Sequence, residues 1–212
     1  MARIFKITSW LTMMGLASFI ALTSLRYFVL SPEVAIGPPL AQRFTEYITP
    51  LRFHAGGGVV ALALGAWSFW GALRDKYLGL HRWLGRVYLL AVLVGGSAGC
   101  YMAQTAFGGL PTRIGFSLLG GLWLATGALA YRRIRQGNVQ AHREWMTRNY
   151  ALTFSAVMLR VWLPLFLAFG YGFPEAYTTV AWLCWVPNLL VAELIISSGK
   201  VGAKRQKLIQ AA

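Results

Sequence analysis

Residues 86–106 read RVYLLAVLVGGSAGCYMAQTA, and after Arg86 twenty residues pass without a formal charge. At 1.5 Å per residue a helix of that length covers about 30 Å, the thickness of a bilayer's hydrocarbon core. Five other stretches have the same character: 8–30, 54–74, 114–134, 149–169 and 178–197. The whole chain agrees with them. Of its 212 residues 57% are apolar and only 12% are charged, against roughly a quarter charged in soluble domains. The reading is an all-α, polytopic transmembrane helix bundle of about six spans. This composition excludes disorder, coiled coil, collagen and a disulfide-stapled secreted fold. Cys100 and Cys184 both sit in apolar runs and are expected as unpaired, reduced thiols.

The net charge of +14 could suggest nucleic acid, but its distribution says otherwise. One set of loops holds Arg3 and Lys6; Arg74, Lys76, Arg82 and Arg86; Arg132, Arg133, Arg135, Arg143 and Arg148; and Lys200, Lys204, Arg205 and Lys207. The other side has Arg26, Arg43, Arg52 and Arg113. By the positive-inside rule both termini are cytoplasmic, and the basic charge reflects topology and anionic lipid rather than nucleic acid. The chain divides into a first transmembrane helix (1–30), an outer loop (31–53), a core of four transmembrane helices (54–169), a sixth helix (170–198) and a basic cytoplasmic tail (199–212). The first helix reads as retained, its apolar core being too long for a signal peptide. Pro32, Pro38, Pro39 and Pro50 are expected to block regular helix in the outer loop.

Two loops on the cytoplasmic side carry similar text. His81-Arg82-Trp83 runs on to Arg86 and Tyr88, and His142-Arg143-Glu144-Trp145 runs on to Arg148 and Tyr150. Gly71-Ala72-Leu73 and Gly127-Ala128-Leu129 precede them, so spans 2 and 3 read as repeated in spans 4 and 5. Gly57, Ala61 and Gly65, and then Gly95 and Gly99, have the small-xxx-small spacing that lets helices approach; a flat cofactor against these faces is the alternative.

These signatures, with His54 ahead of them and Leu159-Arg160 behind, resemble the predicted membrane protein family catalogued as domain of unknown function 2306, over roughly residues 50–165. The resemblance implies a multi-pass bacterial inner-membrane protein with no established activity, so no catalytic residue is transferred. A looser similarity, in architecture and histidine count only, is to four-helix membrane cytochromes of the b type.

Chemistry has few candidates. His54 opens the second span on the outer side, about one membrane thickness from His81 and His142, so the candidate haem pair is His81 with His142; the alternative is an interfacial polar and aromatic belt. No third ligand accompanies them for zinc, and no metal site is expected. Arg160 lies deep in the fifth span, where a cation is costly and a functional candidate, and Pro164 at i+4 should kink the helix. With His54, Gln104 and Asn188, flanked by Tyr101, Trp162 and Trp185, it suggests an outer-half ligand pocket whose occupant is a quinone oxygen, a haem propionate or a lipid phosphate; the alternative is a structural Arg160 satisfied by the carbonyls freed at the two prolines. Pro187 interrupts the sixth span at similar depth. P-loop, His-Glu-x-x-His and Cys-x-x-Cys motifs are absent. Three functions remain: a redox membrane protein holding haem b or quinone, a small-solute transporter, and a non-catalytic assembly subunit or homo-oligomer. The sequence does not decide whether the protein is an enzyme. Reporter fusions at Gly137 and Gly172 should report opposite sides of the membrane, Gly137 on the cytoplasmic one; the same side for both would break the span count.

Overall fold

The computed structural model describes residues 2–37 and 40–210, and the side chains of all of these except residues 2–6, 32, 43–44, 71–72 and 200–210. Pro38 and Pro39 lie outside the described residues. So do the side chains of Arg3, Lys6, Arg43, Lys200, Lys204, Arg205 and Lys207, on which part of the charge reading rests. Helices follow one another with no strand among the described residues: α1 (Ala2–Ser24), α2 (Arg26–Val29), α3 (Pro32–Ala35), α4 (Ala41–Glu46), α5 (Ile48–Ser68), α6 (Gly71–Lys76), α7 (Leu78–Ala103), α8 (Leu110–Arg135), α9 (Val139–Thr153), α10 (Ser155–Ala168), α11 (Phe173–Leu183) and α12 (Val186–Gln210).

Five segments are long and apolar enough to cross a membrane: Ile7–Val29, Leu78–Ala103, Leu110–Arg135, Val139–Ala168 and Phe173–Gly199. The sixth expected span, α5, falls short of that measure because Arg52, His54 and its glycines dilute its apolar residues, although it is 21 residues long. It compensates by enclosure, packing on α1, α7 and α9. Phe19, Leu22, Leu90, Leu93, Leu194 and Ile195 are each more than half exposed, an outward apolar surface suited to lipid rather than water.

Neighbouring rods run in opposite directions. Trp10 Nε1 donates to Ala66 O across α1 and α5, Asn149 to Thr126 Oγ1 across α8 and α9, and Asn188 to Ala151 O across α12 and α9. Several boundaries differ from the sequence reading. Pro50 sits in the first turn of α5, where an N–H donor has no intrahelical acceptor and its loss costs nothing, so the helix begins at Ile48 rather than 54, and His54 lies inside it. Short helices α3 and α4 occupy part of the expected loop. Helices α7 and α9 start at Leu78 and Val139, so both His-Arg signatures lie in first turns instead of loops. Asn138 caps α9 by accepting from Ala141 N at 2.9 Å, and Gly137, at φ 74°, makes the turn from α8.

The fifth segment is interrupted at Phe154, not at Pro164, which α10 carries within it. The sixth breaks at Cys184–Trp185, where Pro187 removes the donor that the Leu183 carbonyl would have used. Both cysteines are free thiols.

The glycine faces are filled by protein, not left for a flat cofactor. A Cβ on Gly57 would come within 2.6 Å of Gly95 Cα and of Ala91 O, both backbone, and one on Gly65 would meet the rings of Tyr150 and Tyr88. Helices α5 and α7 therefore touch backbone to backbone, as small-xxx-small spacing allows. Gly57→Ala should destabilise the bundle by about 1–3 kcal/mol, the usual cost of overpacking, whereas Gly58→Ala, with nothing within 4 Å of its Cβ, should not. Thermal unfolding in detergent checks the contrast.

Candidate functional site

His81 and His142 occupy the same place in their helices, the fourth residue of α7 and of α9. The structure brings both to one end of the bundle, near enough that His142, Arg74 and Arg143 all act electrostatically on His81. Their surroundings then diverge. His142 Nδ1 is 2.9 Å from Ala130 O at the end of the preceding α8, which leaves Nε2 unengaged by that bond. His81 Nδ1 is buried with no hydrogen-bond partner among the described residues, as is Nε of Arg133, one turn beyond Ala130. Gly85, one turn along the same face of α7 from His81, would have nothing within 4 Å of an added Cβ. One imidazole is thus braced by a carbonyl, and the other has a buried nitrogen without a partner among the described residues and two arginines in its field.

The outer-half residues are divided among three places. His54 Nδ1 lies 2.8 Å from Gly95 O, with its ring against Gly99, and within the electrostatic reach of Arg160. Arg160 donates from Nη1 to Ala156 O at 2.9 Å and from Nη2 to Ser24 Oγ at 3.0 Å and Tyr27 Oη at 3.4 Å. Glu193 is not its partner; Arg148 holds that carboxylate through both Nε and Nη2. Gln104 instead turns to Ser117 Oγ and Cys100 O, on a shallow groove with Leu110, Arg113, Ile114 and Leu118. Asn188 spends its amide on Ala151 O and Cys184 O, and Trp185 donates to Ala181 O. Trp162 Nε1 is buried without a partner among the described residues. Of the expected pocket, His54 and Arg160 thus lie in one neighbourhood, while Gln104 and Asn188 serve other contacts.

Two features escaped the sequence reading. The first is the set of hydroxyls and cations around Arg160: Ser24, Tyr27 and Arg26 come from α1 and α2, far away in the chain. The second is a buried polar network at the junction of α7, α8 and α9. Tyr88 Oη donates to Asn149 Oδ1 at 2.6 Å and lies 2.8 Å from Thr153 Oγ1, which accepts from Trp123 Nε1 at 2.8 Å. Asn149 Nδ2 donates to Trp123 O and Thr126 Oγ1. Tyr88 and Asn149 are both fully buried. The signal for it was present in the spacing: Asn149 and Thr153 stand at i and i+4, and Trp123 and Thr126 at i and i+3, so each pair shares a helix face.

The outer segment supplies one clear titration effect. A hydrogen bond from Ser31, with a weaker one from Thr45, holds Glu33 below the usual carboxylate range. Glu33 is therefore an anion already engaged within its own segment.

A profile described as predicted membrane protein, domain of unknown function 2306, matches residues 51–196. No curated protein and no solved structure matches the chain.

Burial makes the network a stability element with a measurable weight. Tyr88→Phe leaves Asn149 Oδ1 without its donor and should cost about 1–3 kcal/mol, read as a lower melting temperature in detergent. Gln104→Ala, at an exposed site, should stay within about 0.5 kcal/mol of the parent.

Proposed function

The chain belongs to the family of predicted membrane proteins known as domain of unknown function 2306, and from that footing we propose that it is a redox membrane protein that holds haem b between His81 and His142. The observation that carries the reading is the unpartnered, buried Nδ1 of His81 beside a second imidazole already aimed by a carbonyl. Buried polar atoms in folded proteins nearly always find a partner, so one that lacks it asks for an explanation.

The donor set fits the group. Imidazoles are common axial ligands, and a ligating histidine commonly donates its other N–H to a backbone carbonyl. His142 satisfies this by donating Nδ1–H to Ala130 O, which fixes the ring plane and makes Nε2 the basic nitrogen. His81 has no such brace among the described residues. Arg74 and Arg143, close enough to act on His81, offer guanidinium donors for propionate carboxylates. When bound, the haem supplies a one-electron iron couple; the protein's part is to hold and orient it and to surround it with cations.

Membranes from haem-replete cells overproducing the protein should show a Soret band. His81→Ala and His142→Ala should each abolish it, and His54→Ala, at the other end of the bundle, should keep it. A colourless, well-folded preparation would overturn the proposal.

A further inference from the structure

At the opposite end of the bundle, three arginines from three helices converge on one tyrosine. Arg26 Nη2 reaches Tyr27 Oη at 3.4 Å and its guanidinium carbon lies 5.3 Å from the ring centroid. Arg160 Nη2 reaches the same oxygen at 3.4 Å, and Arg52 Nε reaches the Tyr27 carbonyl at 3.4 Å. These contacts are longer than the 2.7–3.2 Å of a well-formed N–H···O bond. A guanidinium carries five N–H donors, of which Arg26 and Arg52 use one each and Arg160 uses three. Neither ion pair among the described residues involves any of the three, since those pairs are Arg74–Asp75 and Arg148–Glu193. Ser24 gives its proton to Ile20 O, so towards Arg160 it can only accept. Tyr27 Oη accepts from two guanidiniums, and its own O–H goes to no acceptor among the described residues.

Such a cluster is short of negative charge. A neutral carbonyl would satisfy one or two donors and leave three positive charges uncompensated, those of Arg26 and Arg52 exposed and that of Arg160 part-buried. A tetrahedral oxyanion would take several donors at once, and paired N–H groups of arginine match the oxygen spacing of phosphate. Arg160 lies eight residues before the end of α10, about 12 Å along the axis, and its guanidinium donates back to Ala156 O and across to Ser24 Oγ and Tyr27 Oη, where α1 passes into α2.

We propose that Arg26, Arg52 and Arg160, with Tyr27 as a further donor, form a phosphate-binding site at the outer end of the bundle, filled by the headgroup of a lipid or by phosphate from solution. The site is separate from the two inner histidines, and its test uses no haem or redox signal.

Thermal unfolding of the full-length protein in a neutral detergent tests it, with inorganic phosphate in one arm and dihexanoyl phosphatidylglycerol in the other. Sodium chloride at matched ionic strength and dihexanoyl glycerol are the controls. A rise in Tm is expected with at least one phosphate probe and with neither control, and Arg160→Gln and Arg26→Gln should each weaken the apparent affinity at least tenfold. A response to phosphatidylglycerol alone assigns a lipid headgroup, and a response to inorganic phosphate assigns the free ion. Should Arg160→Gln fail to fold, Arg26→Gln decides the matter, because the only hydrogen bond of the Arg26 guanidinium among the described residues is to Tyr27. Arg113→Gln, beside Gln104 on α8, should leave the response intact. The proposal is overturned by the absence of a shift with either phosphate probe, by a shift that both variants keep, or by an equal response to dihexanoyl glycerol. It also falls if a short-chain quinone stabilises the protein through Arg160 while both phosphate probes fail.

Discussion

Asn149 is the residue on which the bundle's arrangement depends. A bilayer offers a polar side chain no water, so every donor and acceptor inside has to be met by protein. Asn149 meets its own by binding Tyr88 of α7 through Oδ1 and Trp123 and Thr126 of α8 through Nδ2, while its backbone carbonyl accepts from Thr153. Lipid tails and leucines are equally apolar, so hydrophobic burial alone cannot tell one helix neighbour from another. A fully matched polar hub can. The three hydroxyl contacts of Tyr88 and Thr153 have only two protons to share, so the Thr153 proton is divided between Tyr88 Oη and the Asn149 carbonyl.

The repeated signatures converge on this hub and then part. Tyr88 and Tyr150, seven and eight residues after the two histidines, are both buried and both flank Gly65, so the repeat places two aromatic rings on one glycine of α5. At the histidines the copies differ: one imidazole is braced by the preceding helix and the other is not.

Much of this was legible in the sequence, for reasons that also mark the limits. Long uncharged runs gave five self-sufficient spans because crossing hydrocarbon is a local demand on composition. The starts of α7 and α9 were misplaced because basic interfacial turns such as those of His81 and His142 are helical without being apolar, and α5 began early because proline is harmless in a first turn. Arg160 was recognisable as a costly cation, but Ser24 and Tyr27 were not recognisable as its partners, lying more than 130 residues away. The Gln104 and Asn188 side chains share a depth with Arg160 in sequence terms, yet depth does not fix azimuth. Rotation about each helix axis was set by the glycine contacts and the buried network, and no single-helix pattern encodes it.

The interruptions of the fifth and sixth segments have a mechanical consequence. Ala151 and Asn188 are hydrogen-bonded and their helices run in opposite directions, so the breaks at Phe154 and at Cys184–Trp185 lie at one level. The inner pieces α9 and α12 pack on each other, as do the outer pieces α10 and α11. Bending a continuous helix means sacrificing main-chain bonds, but here two adjacent rods have given theirs up on a common plane, and the Asn188 amide spans it. A tilt of the outer pieces against the inner ones would therefore break no bond inside any of the four helices, only those of the Asn188 amide and of the junctions themselves.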